Sequence, residues 1–295
     1  MGAFGLAHPL TQAIHVRVSY SARATRAECR PERWCEVANL DNRTAVVTGG
    51  GRGIGRAIAL ELARHGADVV VSSRTMEQLA SVVAEIEALG QSGLAVVADA
   101  LDREQAKDPV RRGVERFGAC DILINNVGGG APLRGSQDAF THDDDVFEAN
   151  LALNLTSAYW TTREALPHMR DAGYGRVINI GSGYAKRSGG ALAYTAAKHG
   201  LVGFTRALAH DTAAHGITVN CLCPGWTNTA LVDWEAMGRA AGISAEAAHA
   251  MRAAENLQDR VLEPEELGPM AALLAAPESA GITGQVISVD GGYKV

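Results

Sequence analysis

The sequence predicts an α/β protein, a doubly wound parallel sheet of about seven strands with helices on both faces. Three observations carry that prediction. From Thr44 onward, short apolar β-branched runs alternate with helical stretches, the rhythm of strands buried on both faces and joined by crossover helices. No Pro-, Ser- or Gly-rich linker separates two cores, which places residues 41–295 in one domain. A glycine-rich turn stands between the first strand and the first helix, at the edge where open α/β sheets bind their ligands.

The strands read as Thr44 to Thr48, Asp68 to Ser72, Leu94 to Ala98, Asp121 to Asn125, Arg176 to Ile180, Ile217 to Leu222 and Gln285 to Val289. Each is a short apolar run bounded by turn residues. Between them Gly53 to His65, Thr75 to Leu89, Arg103 to Phe117, Asp144 to Arg170, Leu192 to Ala214 and Pro264 to Ala275 read as helices. Residues 227–260 break the rhythm: they are Ala-, Glu- and Met-rich, too long for an ordinary connection, and lie beyond the carboxyl end of a strand. Long insertions of that kind serve as lids or binding loops, so this one is expected to be a substrate-binding insert.

Residues 1–40 look appended. They hold Arg17, Arg23, Arg26, Arg30 and Arg33, no aspartate and no sustained apolar period. An arginine-rich, acid-poor start resembles an organelle transit peptide, but Glu28, Glu32 and Glu36 interrupt it, and it has no apolar segment for secretion. A flexible extension is the expectation.

Composition excludes several classes. The chain of 295 residues is 47% hydrophobic and 20% charged, with 33 glycines and a net charge of -6, the profile of a globular protein without the basic footprint that nucleic acid requires. No run reaches the 18 or so apolar residues of a membrane span. The five cysteines, Cys29, Cys35, Cys120, Cys221 and Cys223, form no CxxC pair, so neither zinc-type ligation nor a disulfide framework is expected. Cys221 and Cys223 alternate along one strand and read as small buried hydrophobes. Together these features point to the cytoplasm, with no metal, no nucleic acid and no membrane partner.

The turn Thr48-Gly49-Gly50-Gly51-Arg52-Gly53-Ile54-Gly55 lies between a strand and a helix. Glycines let the backbone turn sharply and expose the helix N-terminal amides to a pyrophosphate, a Rossmann-type arrangement. Its spacing, Gly49-x-x-x-Gly53-x-Gly55, departs from the general dinucleotide fingerprint G-x-G-x-x-G. With Thr48 it resembles the turn of the short-chain dehydrogenase/reductase family. Asn125-Asn126-Val127-Gly128 resembles that family's N-N-A-G motif, with valine in place of alanine.

Tyr194 and Lys198 are four residues apart in a helical segment, so their side chains share a face. A tyrosine of pKa about 10 shuttles protons near neutrality only if a neighbouring cation favours its phenolate. Lys198, aided by the positive nicotinamide of an oxidised cofactor, is expected to lower it. The Y-x-x-x-K pattern alone recurs by chance; its context here does not. Ser182 follows the fifth strand, twelve residues before Tyr194, one fewer than is usual in the family.

The resemblance covers residues 42–294. It implies a nicotinamide-dependent oxidoreductase interconverting a ketone and a secondary alcohol. It casts Tyr194 as general acid and base, Ser182 as the group holding the substrate oxygen, and Lys198 and Asn154 in a proton relay. Asn150, one turn before Asn154, is a rival. The resemblance places the cofactor against Thr48, Gly49, Gly51, Arg52, Gly53, Ile54 and Gly55 of the turn. It adds Ser73, Arg74, Asp99, Ala100, Asn126, Val127, Gly128, Tyr194, Lys198, Pro224, Gly225, Thr227 and Thr229, and implies a homotetramer or dimer.

Cofactor and substrate preferences rest on single positions. Enzymes that prefer NAD place an acidic side chain about 20 residues beyond the glycine turn. Here Ser73 stands at that point, followed by Arg74, with Arg52 in the turn. Two guanidinium groups suit a 2'-phosphate, so NADP(H) is expected, with NAD(H) the alternative. The chain resembles polyketide ketoreductases, 3-hydroxybutyrate dehydrogenases and beta-ketoacyl reductases. The hydroxybutyrate subgroup carries a lysine where Ala191 stands here, so a small hydroxy acid is disfavoured unless Lys186 or Arg187 substitutes. Tyr184, Leu231, Trp234, Met237 and Met251 point to a larger, less charged small-molecule carbonyl or alcohol. A dinucleotide-sensing binding protein on the same fold is the alternative without turnover; such proteins commonly lose the tyrosine or the lysine, and both are present.

Overall fold

The computed structural model describes residues 38–130 and 135–294. Seven strands form one parallel sheet: β1 (Thr44–Thr48), β2 (Asp68–Ser73), β3 (Gly93–Val97), β4 (Ile122–Asn125), β5 (Gly175–Ile180), β6 (Ile217–Pro224) and β7 (Val286–Val289). Their order is β3-β2-β1-β4-β5-β6-β7. Every strand expected from the sequence is present, with ends moved by a residue or two.

The strand sequences dictate a two-sided core, because successive side chains point to opposite faces. Ala45 and Val47 of β1, Val69 and Val71 of β2, and Ile122 and Ile124 of β4 face one cluster. There they meet Ile58 and Leu62 of α1 (Gly53–Arg64), Leu79 and Val82 of α2 (Met76–Ala88) and Ala271 of α9 (Gly268–Ala275). The intervening Val46, Val70 and Leu123 face a second cluster. That cluster takes in Val110 of α3 (Arg103–Phe117), Ala165 and Met169 of α5 (Ser157–Ala172), and Ala209 of α6 (Leu192–Thr212). Helices therefore cover both faces. The chain leaves β1 toward β2 and returns at β4 on the other side, which opens a crevice at the carboxyl ends of β1 and β4.

Three elements differ from expectation. The segment Asp144 to Arg170 is not one helix: α4 (Asp144–Leu151) and α5 are joined by a π-helical turn, Ala152–Thr156. Asn154 sits in that turn, and its side-chain Nδ2 donates to the Asn150 carbonyl at 3.1 Å, the oxygen that a regular helix would give to the Asn154 main-chain amide. The widened turn follows from that competition. The insert holds two short helices, α7 (Trp234–Ala241) and α8 (Ala245–Ala253). Asp233 and Ser244 cap them by accepting from the amides of Ala236 and Ala247. Finally, the last helix begins as a 3-10 turn, Pro264–Leu267.

The expected extension lies outside the described residues up to position 37, as do Cys29 and Cys35. Ala38 and Leu40 are already buried in the first core cluster, and Leu40 donates its amide to the His65 carbonyl at 2.8 Å. Among the described residues no helix is long and apolar enough to cross a membrane.

Candidate active site at the carboxyl edge of the sheet

The glycine turn is held from below. Thr48 Oγ1 donates to the Ile124 carbonyl and accepts from the amides of Asn126 and Val127 at 3.1 and 3.3 Å. Asn126 Nδ2 donates to the carbonyls of Thr48 and Gly49, both at 3.1 Å. A Cβ on Gly55 would lie 2.3 Å from the Gly49 carbonyl oxygen, so only glycine lets the first turn of α1 come this close. Arg52 at the helix N-cap gives no side-chain hydrogen bond, which leaves the first amides of α1 without a side-chain acceptor. The Asn126 side chain thus acts on protein backbone, and it shapes the turn from the neighbouring strand.

The other expected cofactor positions border the same crevice. A narrow cleft is lined by Thr48, Ser73, Ala98, Ala100 and Val127, among others. Ser73 Oγ lies 3.0 Å from the point a Gly51 Cβ would occupy, so the end of β2 touches the turn. Arg52 and Arg74 are exposed, and neither is in an ion pair among the described residues. Asp99 Oδ1 accepts from the Leu101 amide at 3.0 Å. Past β6, Gly225 approaches Asp290, Thr227 Oγ1 donates to the Gly225 carbonyl, and Thr229 lies 3.2 Å from the place of a Gly53 Cβ. The segment after β6 therefore reaches back across the crevice to the turn. Pro224 ends β6, and Ile54 is half-buried beside Gly53.

Ser182, Tyr194, Lys198 and Asn154 converge beside this groove. Ser182 stands at the end of β5, and its Oγ accepts from the Tyr184 amide at 3.2 Å. Lys198 is buried; its Nζ donates to the Ile180 carbonyl at 2.7 Å and lies 5.8 Å from the centre of the Tyr194 ring. Asn154 is clamped by Gly129, whose amide donates to its Oδ1 at 2.9 Å and whose carbonyl accepts from its Nδ2 at 3.0 Å. A Cβ on Gly128 would lie 2.8 Å from Asn154 Oδ1 and 3.0 Å from Lys198 Nζ, so the two polar atoms flank one point, close enough for a single bridging water. Asn150 instead turns its Nδ2 to the Val146 carbonyl, and its main-chain oxygen, rather than its side chain, serves the cluster.

In the ligand-free protein burial pushes the Tyr194 phenol above its ordinary pKa, against a smaller lowering by the Ser182 hydroxyl. Burial brings the Lys198 ammonium down to about 8, and its proton is directed at the Ile180 carbonyl. One contributor, the Ile180 carbonyl, carried no signal in the sequence; for a second, the Gly129 main chain, the run Gly128-Gly129-Gly130 is the one trace. Cys221 and Cys223 are buried side by side on β6, their sulfurs 3.8 Å apart.

Residues 43–254 match the family model described as short chain dehydrogenase. The chain belongs to the short-chain dehydrogenase family. It is 38% identical over 264 residues to D-beta-hydroxybutyrate dehydrogenase of Cupriavidus necator, covering 86% of this chain and 98% of that protein. The short-chain reductase protein NovJ of Streptomyces niveus is 34% identical over 257 residues, covering 87% and 96%. Among solved structures, actinorhodin polyketide ketoreductase with NADPH superimposes with a TM-score of 0.80, with 33% identity, over 87% of this chain and 99% of that one. Family membership makes this chain an oxidoreductase of the alcohol and ketone type that works with a nicotinamide dinucleotide. Its residues fit such a cofactor: the α1 amides lack a side-chain cap, and the glycines of the turn let the backbone lie close to Ser73 at Gly51 and to Thr229 at Gly53, with no side chain standing over those amides.

Proposed function

We propose that this protein interconverts a ketone and a secondary alcohol with NADP(H) as preferred cofactor, Tyr194 serving as general acid and base. The observation that carries this reading is the convergence of Ser182, Tyr194, Lys198 and Asn154, from three separate elements, at the sheet edge beside an uncapped glycine turn. When bound, the nicotinamide accepts or supplies the hydride.

The chain's own residues then have distinct tasks. Ser182 accepts from the Tyr184 amide, which leaves its O–H free to donate to the substrate oxygen. Tyr194, whose phenol burial pushes above its ordinary pKa, gives its proton to the oxygen of a carbonyl substrate and takes it back in the reverse direction. Lys198, positioned by the Ile180 carbonyl, supplies positive charge where phenolate character develops. Asn154, locked by the Gly129 main chain, holds the far end of a water relay to Lys198.

Cofactor choice rests on Ser73, Arg74 and Arg52. Ser73 puts no carboxylate beside the turn, and the two exposed arginines flank its contact with Gly51. Guanidinium groups bind a 2'-phosphate in bidentate fashion. The NADPH-bound state of the similar ketoreductase is in keeping with this. Residues 227–260, carrying α7 and α8, act as the substrate-side insert. The protein works in the cytoplasm as a homo-oligomer.

The purified protein, given NADPH or NADH with a panel of ketones, and NADP⁺ or NAD⁺ with secondary alcohols, tests this reading through absorbance at 340 nm. Turnover with NADPH at higher kcat/KM is expected. Tight cofactor binding with no turnover across the panel would instead favour a dinucleotide-sensing role.

A further inference from the structure

The tail that follows β7 folds back onto the turn that carries Ser182. Gly291 and Gly292 have φ of 64° and 79°, a left-handed backbone that reverses the chain and brings Tyr293 against that turn. Tyr293 is only 2% exposed. A Cβ on Gly183, the residue after Ser182, would lie 2.6 and 2.8 Å from Cδ1 and Cε1 of the Tyr293 ring, so the ring rests directly on the Gly183 backbone. The same ring stands edge-to-face with Tyr184, centroids 6.0 Å apart at 83°, and the Tyr293 carbonyl accepts from Arg187. One residue thus meets the turn at Gly183, Tyr184 and Arg187.

The tail itself is anchored. Asp290 Oδ1 accepts from the amides of Gly292 and Tyr293 at 3.0 and 3.3 Å. The Lys294 amide donates to the Glu255 carbonyl at 3.0 Å, and Tyr293 pairs with Asn256 in an isolated antiparallel bridge. The Ser182 turn, by contrast, leaves the sheet after the Gly181 amide donates to the Leu222 carbonyl at 2.7 Å. The bond from the Tyr184 amide to Ser182 Oγ and the bond from the Ala185 amide to the Ser182 carbonyl both lie inside the turn, so they move with it. Its place relative to Tyr194 depends on what is packed against it, and a ring seated on backbone and on a second ring resists displacement.

We infer that Tyr293 is a positioning residue: packed on Gly183 and Tyr184, its ring holds the turn so that the Ser182 hydroxyl meets the substrate oxygen beside Tyr194. This rests on the role given to Ser182 in the reading of the site as a ketone reductase.

The test measures kcat and KM for the best ketone of the panel, NADPH affinity by fluorescence, and Tm, on the full chain. Tyr293→Phe keeps the ring and is expected to stay within threefold of the wild type in kcat. Tyr293→Leu removes the ring and is expected to lower kcat at least tenfold with the NADPH Kd within threefold, in keeping with the cost of about 100-fold for a misplacement of about 1 Å. Gly183→Ala presses on the same contact from the turn and is expected to lower kcat at least tenfold as well. Added to Tyr293→Leu, it is expected to cost less than threefold more, because its methyl group enters space the ring has left. A folded Tyr293→Leu with a smaller fall in kcat, a fall matched by equally weakened NADPH binding, or losses that multiply in the double variant overturn the inference while leaving the ketone reductase reading standing. If Tyr293→Leu fails to fold, Gly183→Ala decides alone, and a loss under tenfold overturns the inference. No turnover of any ketone or alcohol by the wild type sinks the reading itself.

Discussion

Replacing Gly128 with alanine adds one methyl group to the site and removes no functional atom. Gly128 does not have a positive φ, so alanine meets no backbone strain there, and whatever follows comes from contact. The new Cβ would lie 2.8 Å from Asn154 Oδ1 and 3.0 Å from Lys198 Nζ, about half an ångström inside ordinary van der Waals separation of about 3.5 Å. Neither neighbour yields easily. Asn154 is tied at 2.9, 3.0 and 3.1 Å to Gly129 and Asn150, and Lys198 at 2.7 Å to Ile180. Relieving the clash in a close-packed region costs about 1–3 kcal/mol, and a misplacement of about 1 Å in catalytic geometry costs about 100-fold in rate. Gly128→Ala is therefore expected to lower kcat about 10- to 100-fold while Tm falls by only a few degrees. Steady-state kinetics and a thermal melt on the same preparation check it. A variant with kcat within threefold of the wild type would refute the claim that the Asn154–Lys198 spacing belongs to the machinery.

Other expectations follow from the same geometry. Ser73→Asp with Arg74→Ala is expected to reverse the cofactor preference, because a carboxylate repels the 2'-phosphate and holds ribose hydroxyls; a wild type with higher kcat/KM for NADH than for NADPH contradicts the assignment. Lys198 has its pKa lowered by burial to about 8 from 10.5, so below about pH 8 both folded and unfolded chains carry the charge and the folded state bears its full cost. Between about pH 8 and 10.5 the unfolded chain binds more protons, and stability rises with pH by up to about 3 kcal/mol from this group. Denaturant titrations of the ligand-free protein at pH 8 and 10 are expected to show that rise in the wild type and its absence in Lys198→Met; parallel changes in the two proteins would contradict it.

The sheet was legible because each strand is a short apolar run bounded by Gly, Asp or Asn, and because the two-residue alternation of Val46 and Val47 must feed two opposite cores. The break in the helix at Ala152–Thr156 was not. No Gly or Pro marks it, and its cause is a side-chain hydrogen bond from Asn154 that depends on Gly129 holding the same amide group in place. The helices of the insert had their caps in plain view at Asp233 and Ser244, but at 8 and 9 residues each is too short for periodicity to tell it from a loop. In the site, the spacing of Tyr194 and Lys198 on one helix revealed the pair, and Ser182 followed from its strand end. The direction of the Tyr194 pKa did not follow. It is set by groups that fold against the phenol from β5, β6 and the turn at Tyr184, and helix periodicity is blind to those. The contact of Thr229 with Gly53 is likewise a product of the chain crossing the crevice, which spacing along the sequence does not report.

Tyr194→Phe tests the central claim most directly, because it removes one transferable proton and leaves the ring, its edge-to-face partner Tyr184 and the buried Lys198 in place. The measurement is kcat/KM for the best ketone found in the panel, with NADPH affinity titrated by fluorescence on the same variant. The account predicts a loss of about 1,000-fold or more in kcat/KM with the NADPH Kd within threefold of the wild type. A variant that retains more than a tenth of wild-type activity, while binding NADPH normally, would contradict the role given to Tyr194.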